Sequence, residues 1–189
     1  DLHNWSIKHK NEFWTNVWDF TNFVGEKKGK IFKSAPEFTN NKFFDECKIN
    51  YAENCLTIDD DDDAIIFHSE KKIKRNYSWK ELKSAVLKFA NYLKNNNIEK
   101  NDRIAAILPN IPETVISFLS TAQLGAIWSS CSSDFGKKAI IDRFKQIEPK
   151  VLLFSDYYFY NNKKVDTTKI IKDVVYNLSL IHISEPTRR

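Results

Sequence analysis

The densest run of groups able to do chemistry is Ser129-Ser130-Cys131-Ser132-Ser133-Asp134-Phe135-Gly136, followed by Lys137 and Lys138. Hydroxyls, free amides at a helix start and a glycine that lets a ligand approach the backbone together suit an anion. Two lysines in a first helical turn oppose the helix dipole, so they either face solvent or meet an anion. Capping of the following helix by Ser133 or Asp134 accounts for the same residues equally well. A serine nucleophile would need the strained G-x-S-x-G elbow, which is absent. Cys131 would need a base, and His3, His9, His68 and His182 are scattered far from it in sequence. A second loop, Pro109-Asn110-Ile111-Pro112-Glu113, is stiffened by its prolines. Asn110 there could orient a polar ligand, although a rigid turn is the plainer reading. The acidic run Asp59–Asp63 lacks the spaced ligands, central glycine and distant glutamate of a calcium loop, so it reads as a solvated segment. No catalytic residue and no metal ligand is identified.

The elements that would position these loops follow from periodicity. Asn11 to Phe23 has helical spacing, with Phe13, Trp14, Val17, Trp18 and Thr21 near one face. Gly25 to Lys33 is loop-like, and Ile49 to Asn54 suggests a turn and a short helix. Ala64–His68 and Ile73–Ser78 read as paired strands across the charged turn Ser69–Lys72. Ser78 and Glu81 have capping-box spacing, and Leu82, Val86, Phe89 and Leu93 form the buried face of the helix that follows. Ile104–Leu108 is a buried strand, and Pro112 suits a first helical position. That helix runs to Leu124, with Gly125 as its left-handed stop. Ile127–Ser130 is a strand, about Phe135 to Ile147 a helix stopped by Pro149, and Val151–Ser155 another strand. The repeated strand–helix order from Arg103 to Ser155 predicts parallel strands covered by helices, with right-handed crossovers. In such sheets ligands bind beyond the carboxyl ends of the strands, where both polar loops fall.

Bulk properties narrow the function classes. The chain has 189 residues, 42% hydrophobic and 29% charged, and a net charge of +4. Lysines alternate with acids along the sequence, so no dense basic footprint for nucleic acid is present. No apolar run approaches the roughly 18 residues that span a bilayer. The three cysteines, Cys47, Cys55 and Cys131, form no CxxC pair. Free thiols in a reducing, cytoplasmic setting are the expectation.

Completeness is a separate matter. The chain contains no methionine, so its natural start is expected upstream. Leu178 to Arg188, LSLIHISEPTR, resembles a translated sequencing adapter, and the natural sequence is expected to stop near Asn177. The expected organisation is an aromatic-rich helical extension over residues 1–57, an incomplete α/β subdomain over 58–177, and a non-native tail over 178–189.

Distinctive wording runs through Trp5-Ser6 with Phe13-Trp14, Ile49-Asn50-Tyr51-Ala52-Glu53-Asn54, and Leu108-Pro109-Asn110 with Glu113. Gly125-Ala126-Ile127-Trp128-Ser129-Ser130 is the most specific block. Asp142-Arg143-Phe144, Gln146-Ile147-Glu148-Pro149-Lys150, and Tyr160-Asn161 with Lys163 extend it. Through these blocks, nearly all of Trp5 to Tyr176 resembles the acetoacetyl-CoA synthetases (acetoacetate–CoA ligases) of the adenylate-forming superfamily. Three departures are visible. Asn101 precedes Asp102-Arg103 where the family has glycine, Ser133 replaces a proline, and Asn162 replaces a glycine.

The resemblance implies the fold: a partial N-terminal domain of an adenylate-forming ligase, mainly parallel sheet with flanking helices, after a helical N-terminal extension. It implies that the parent joins acetoacetate to CoA through an acyl-adenylate, using ATP and Mg²⁺. The family's phosphate loop, ribose-binding acid and distal lysine are not identifiable here, so this chain alone is expected to be inactive. By looser similarity to acetyl-CoA synthetases, Ser133, Asp134, Phe135 and Gly136 would lie beside CoA, and Lys163 near its phosphates. Two other readings stay open: a ligase for another short acyl acid, and a non-catalytic nucleotide- or CoA-binding module.

Overall fold

The computed structural model describes residues 1–70, 73–178 and 183–184. Two units emerge, Asp1–Asn54 and Cys55–Arg189.

The first unit is built on aromatic rings. Helices α1 (Leu2–Lys8) and α2 (Lys10–Phe20) meet at His9. The α1 helix begins nine residues before the helix that the aromatic periodicity predicts, and its start is set by Asp1, whose carboxylate accepts from the Asn4 amide. Trp5, Phe13, Trp14 and Phe43 form a chain of edge-on ring contacts, and Trp18 packs against Phe23 and Phe44. Short strands β1 (Phe32–Lys33) and β2 (Lys42–Phe43) pair antiparallel, bringing Phe32 opposite Phe43. Helix α3 (Tyr51–Cys55) follows. Asn54 ties the loop at Val24 to it by donating to the Val24 carbonyl and accepting from its amide.

The second unit opens with a hairpin, β3 (Asp63–His68) and β4 (Lys74–Ser78), as the alternation predicts. Residues 71–72 of its turn lie outside the described residues. Ser78 then caps α4 (Trp79–Asn95) with a complete capping box: its hydroxyl accepts from the Glu81 amide, and Glu81 accepts from the Ser78 amide. The acidic run lies exposed beside this helix start. Asp61 pairs with Lys80 at 2.9 Å and Asp59 with Lys83 at 3.1 Å.

The main sheet contains β5 (Arg103–Ile107), β6 (Ile127–Cys131), β7 (Val151–Phe154) and the backbone of β10 (Ile183–Ser184), in the order β10-β7-β5-β6. All of its pairings are parallel. Helix α5 (Pro112–Gln123) joins β5 to β6, and α6 (Lys137–Lys145) joins β6 to β7. A second hairpin, β8 (Tyr157–Tyr160) and β9 (Lys163–Asp166), leads to α7 (Thr168–Leu178). The tail expected to be non-native lies outside the described residues, apart from Leu178 at the end of α7 and the paired Ile183–Ser184.

Side chains of β5 alternate between two cores, as a strand's period of two requires. Ala105 and Ile107 join Ile140 and Phe144 of α6 and Ile171 and Val174 of α7. Ile104, Ala106 and Leu108 join Leu93 of α4, with Phe89, Leu124 and Trp128 packed against them. Ser120 locks α5 to α4 by donating to the Val86 carbonyl at 2.9 Å. Pro112 opens α5, and Gly125 at φ +68° closes it, both as the sequence predicts.

At the opposite end of the sheet, Arg103 donates to the Ile147 and Glu148 carbonyls in the turn that follows α6. Lys150 bridges Asp102 at 2.9 Å and the Asn97 carbonyl. Burial pushes the Asp102 carboxyl up, but the Lys150 hydrogen bond, the Glu99 amide and nearby charges outweigh it and hold it below the ordinary value. That contribution to stability is present above the ordinary carboxylate range and fades as pH falls through the depressed value. The capping box carries a stability expectation of its own: Ser78→Ala should lower the urea-unfolding free energy by about 1 kcal/mol.

Candidate functional site

The two polar loops seen in the sequence leave the sheet side by side. Ile107 of β5 stands opposite Cys131 of β6 in a parallel register, so Leu108 and Ser132 begin adjacent exits at the carboxyl edge. The exit from β5 leads to α5, in the layer with α4. The exit from β6 leads to α6, in the opposite layer with α7. Open parallel sheets take ligands beyond the carboxyl ends of their strands, so the two loops are the candidate lips of a ligand crevice at this edge.

One lip of the crevice is rigid. Thr114 donates to the Pro109 carbonyl at 2.7 Å, and Glu113 forms a two-pronged ion pair with Arg75 of β4. Arg75 also lies over the Phe67 ring, 5.2 Å from its centroid. The Glu113 hydrogen bond raises the guanidinium pKa further against the opposing effect of burial. The hairpin β3–β4 thus braces the start of α5, a link that nothing in the linear sequence announces.

The other lip is the loop Ser132–Gly136. It is shorter than the serine run, because Ser129, Ser130 and Cys131 belong to β6. Asp134, Phe135 and Gly136 are exposed. The Arg143 guanidinium lies 5.5 Å from the Phe135 ring centroid. Capping of α6 by Ser133 or Asp134 does not occur. Gly136 is the N-cap residue, in extended conformation, with no side-chain cap. The helix therefore starts at Lys137, later than the expected Phe135, and its first amides are not taken by a capping side chain. A Cβ at Gly136 would meet nothing within 4 Å. Ser133 turns inward instead: it is 6% exposed and its hydroxyl lacks a hydrogen-bond partner among the described residues.

The lysines after the loop have different fates. Lys137 pairs with Asp173 of α7 at 3.0 Å, which answers the anion alternative for that residue within the chain itself. Lys163 lies on the second hairpin, exposed and opposite Tyr160. The turn between them uses Asn161 at φ +48° and Asn162 at φ +59°, and the Asn162 amide donates to Glu70 at 2.9 Å. Two left-handed residues in a two-residue hairpin turn favour glycine or asparagine, so Asn162 serves where the resembled family has glycine. Asn101, at φ +72°, is explained in the same way.

Cys131, the last residue of β6, is buried. Burial pushes its thiol up to about 11, with Arg143 pulling down and Asp134 pushing up. It is a packing residue rather than a nucleophile. Among the described residues no group of three His, Cys, Asp or Glu side chains could hold a metal ion, so none is assigned to Mg²⁺. No helix among them is long and apolar enough to cross a membrane.

Comparison with known proteins adds to this geometry. The AMP-binding enzyme family matches residues 56–186, most of the chain. The chain belongs to the AMP-binding enzyme family. Acetoacetyl-coenzyme A synthetase of Rhizobium meliloti (strain 1021) is 39% identical to this chain over 177 residues. The alignment covers 94% of this chain and 27% of that protein. Acetoacetyl-CoA synthetase of Xenopus tropicalis is 35% identical over 188 residues, with the same coverage of 94% and 27%. Malonamoyl-CoA synthetase of Penicillium aethiopicum is 29% identical over 171 residues, covering 86% of this chain and 24% of that protein. The structure of acetoacetyl-CoA synthetase from Streptomyces lividans superposes with a TM-score of 0.91 at 28% identity, covering 99% of this chain and 30% of that one. The chain thus spans roughly a quarter to a third of the length of the proteins it matches.

The buried thiol of this family member has a measurable consequence. Iodoacetamide should leave Cys131 unmodified at pH 8 in the folded chain, while denaturant exposes it. Reactivity should rise with pH only towards about 11. Because the folded value is raised, the contribution to stability is full below the ordinary value of 9.0 and is lost as pH rises through about 11.

Proposed function

We propose that this chain is the N-terminal part of an ATP-dependent acetoacetate–CoA ligase, forming acetoacetyl-CoA, AMP and diphosphate through an acyl-adenylate. The observation that carries the reading is the match of 94% of the chain to acetoacetyl-CoA synthetases, with the strand β6 and the loop after it lying inside that match. Acetoacetate, ATP and CoA are the small-molecule partners of the parent, and Mg²⁺ its metal. The setting is cytoplasmic, in keeping with three free thiols and no membrane-crossing helix among the described residues.

Within that reading this chain supplies one wall of a site on the CoA side. The loop Ser133-Asp134-Phe135-Gly136 presents the uncapped start of α6 and an open approach at Gly136, both suited to a ligand passing close to backbone. Lys163 supplies a cation on a turn anchored through Glu70, suited to a CoA phosphate. No described residue is assigned to ATP or to the adenylation step. That chemistry needs charge stabilisation at the transferring group, which belongs to the remaining length of the parent.

The similarity to a malonamoyl-CoA synthetase favours a second reading in one respect, the acid. Malonamate and acetoacetate both carry a carbonyl on their third carbon, and the matched segment does not distinguish them. A ligase for another short acyl acid therefore shares this wall.

The test is the gene read on past residue 178 and expressed as a full-length protein. Acetoacetate- and CoA-dependent release of AMP is expected. Release with another short acid in preference to acetoacetate supports the second reading, and no acid-dependent release overturns both. The 189-residue chain alone should form no acetoacetyl-CoA. In the full-length enzyme, Lys163→Ala should raise the KM for CoA about tenfold, the size of one lost charge-assisted hydrogen bond, and leave the KM for the acid unchanged.

A further inference from the structure

Among the described residues the hairpin β3–β4 pairs with no strand of the main sheet, yet it touches two features on the ligand side. Its base is fixed where Ser78 caps α4. Further along β4, Arg75 grips Glu113, in the first turn of α5, through two hydrogen bonds. At the hairpin's turn the Ser69 amide donates to the Ile73 carbonyl at 2.9 Å. Beside it, the Glu70 carboxylate accepts from the Asn162 amide at 2.9 Å, across 92 residues of sequence. The hairpin that braces the α5 lip thus also holds the turn between β8 and β9.

The contact at Asn162 is made to backbone. A two-residue hairpin turn closes through bonds between its flanking residues, here Tyr160 and Lys163, and offers its central amides no acceptor of their own. Glu70 supplies that acceptor. Asn161 and Asn162 are both left-handed, a conformation that costs asparagine more than glycine. A charge-assisted bond from outside the turn offsets part of that cost at the residue before Lys163. Lys163 and Lys164 then point to opposite faces of β9. The Lys164 ammonium lies over the Tyr157 ring, 3.9 Å from its centroid. Among the described residues Glu70 forms no ion pair with either lysine. The acid holds the turn without neutralising the cation that the turn presents.

We propose that Glu70 is a positioning residue for CoA: it fixes the Asn161–Asn162 turn and, through it, the Lys163 ammonium. This rests on the reading of Lys163 as a contact to a CoA phosphate. The sign of the effect separates positioning from mere proximity. A carboxylate near a phosphate repels it, so an acid that only stood nearby would weaken CoA binding, and its removal would tighten it. Removing a positioning acid does the reverse.

The test is a double-mutant cycle in the full-length enzyme, read as the KM for CoA. Glu70→Ala should raise that KM about fivefold, the size of one hydrogen bond, with kcat and the KM for the acid unchanged. Glu70→Gln removes the charge and keeps an acceptor oxygen, so it should stay within about twofold of the wild type. In a Lys163→Ala background Glu70→Ala should change the KM by less than about twofold, because the cation it positions is gone. Hydrogen exchange supplies a readout independent of turnover: the Asn162 amide should exchange faster in Glu70→Ala, while the Tyr158 and Val165 amides keep their rates. A KM for CoA that falls or stays level in Glu70→Ala overturns the proposal. So does an effect of the same size with and without Lys163, or an unchanged exchange rate at Asn162. If Lys163→Ala alone leaves the KM for CoA unchanged, the reading of Lys163 is what fails, and the proposal falls with it.

Discussion

Strand β5 has a parallel neighbour along each edge and a layer of helices over each face, so neither its backbone nor its side chains from Ile104 to Ile107 meet water. Such a strand has to be apolar throughout, with successive side chains entering opposite cores. Ile104 and Ala106 serve one core, Ala105 and Ile107 the other. Every other placement in the second unit follows. Helices α4 and α5 must cover one face and α6 and α7 the other, or one core would lie open. With the helices so divided, the connections leaving β5 and β6 have to diverge, and they form the candidate lips at the carboxyl edge.

The crevice is asymmetric in stiffness. Its β5 side is clamped by the Arg75–Glu113 pair and by the two prolines, whereas its β6 side ends in exposed residues with an uncapped helix start. A braced lip opposite an open one suits a site in which one wall holds register and the other meets the ligand. Ser133, with a buried and unmatched hydroxyl where the resembled family carries proline, is a local cost on the open side. Asn101 and Asn162 show the opposite outcome: both stand in left-handed positions that the family fills with glycine, and asparagine is the side chain that tolerates such positions best.

Features that depend on near neighbours in the chain were readable in advance. Ser78 with Glu81, Pro112 and Gly125 each act over three or four residues, and each has the predicted role. The strand–helix alternation from Arg103 to Ser155 was readable for the same reason, since periods of two and of 3.6 are local. Cap assignment at α6 was not, because the path of the loop decides it and carries the helix start to Gly136, past both candidates Ser133 and Asp134. Lys137 was not readable either: its partner Asp173 is 36 residues away, on a helix brought alongside by the shared core. Helix α1 was overlooked because its residues lack an apolar stripe, although Asp1 three places before Asn4 was the available signal.

By itself the sequence determined the strands and helices between Ala64 and Ser155, that the strands from Arg103 to Ser155 run parallel, and which family the chain belongs to. Those are consequences of side-chain period, of turn residues and of motif wording, all of which survive without a third dimension. Only the tertiary structure decided that β5 lies between β6 and β7, because strand order depends on which cores can be closed and not on order in the chain. That choice sets the two polar loops side by side, lets Arg75 reach Glu113 from 38 residues away, buries the thiol of Cys131, and leaves one edge of β6 without a partner strand among the described residues.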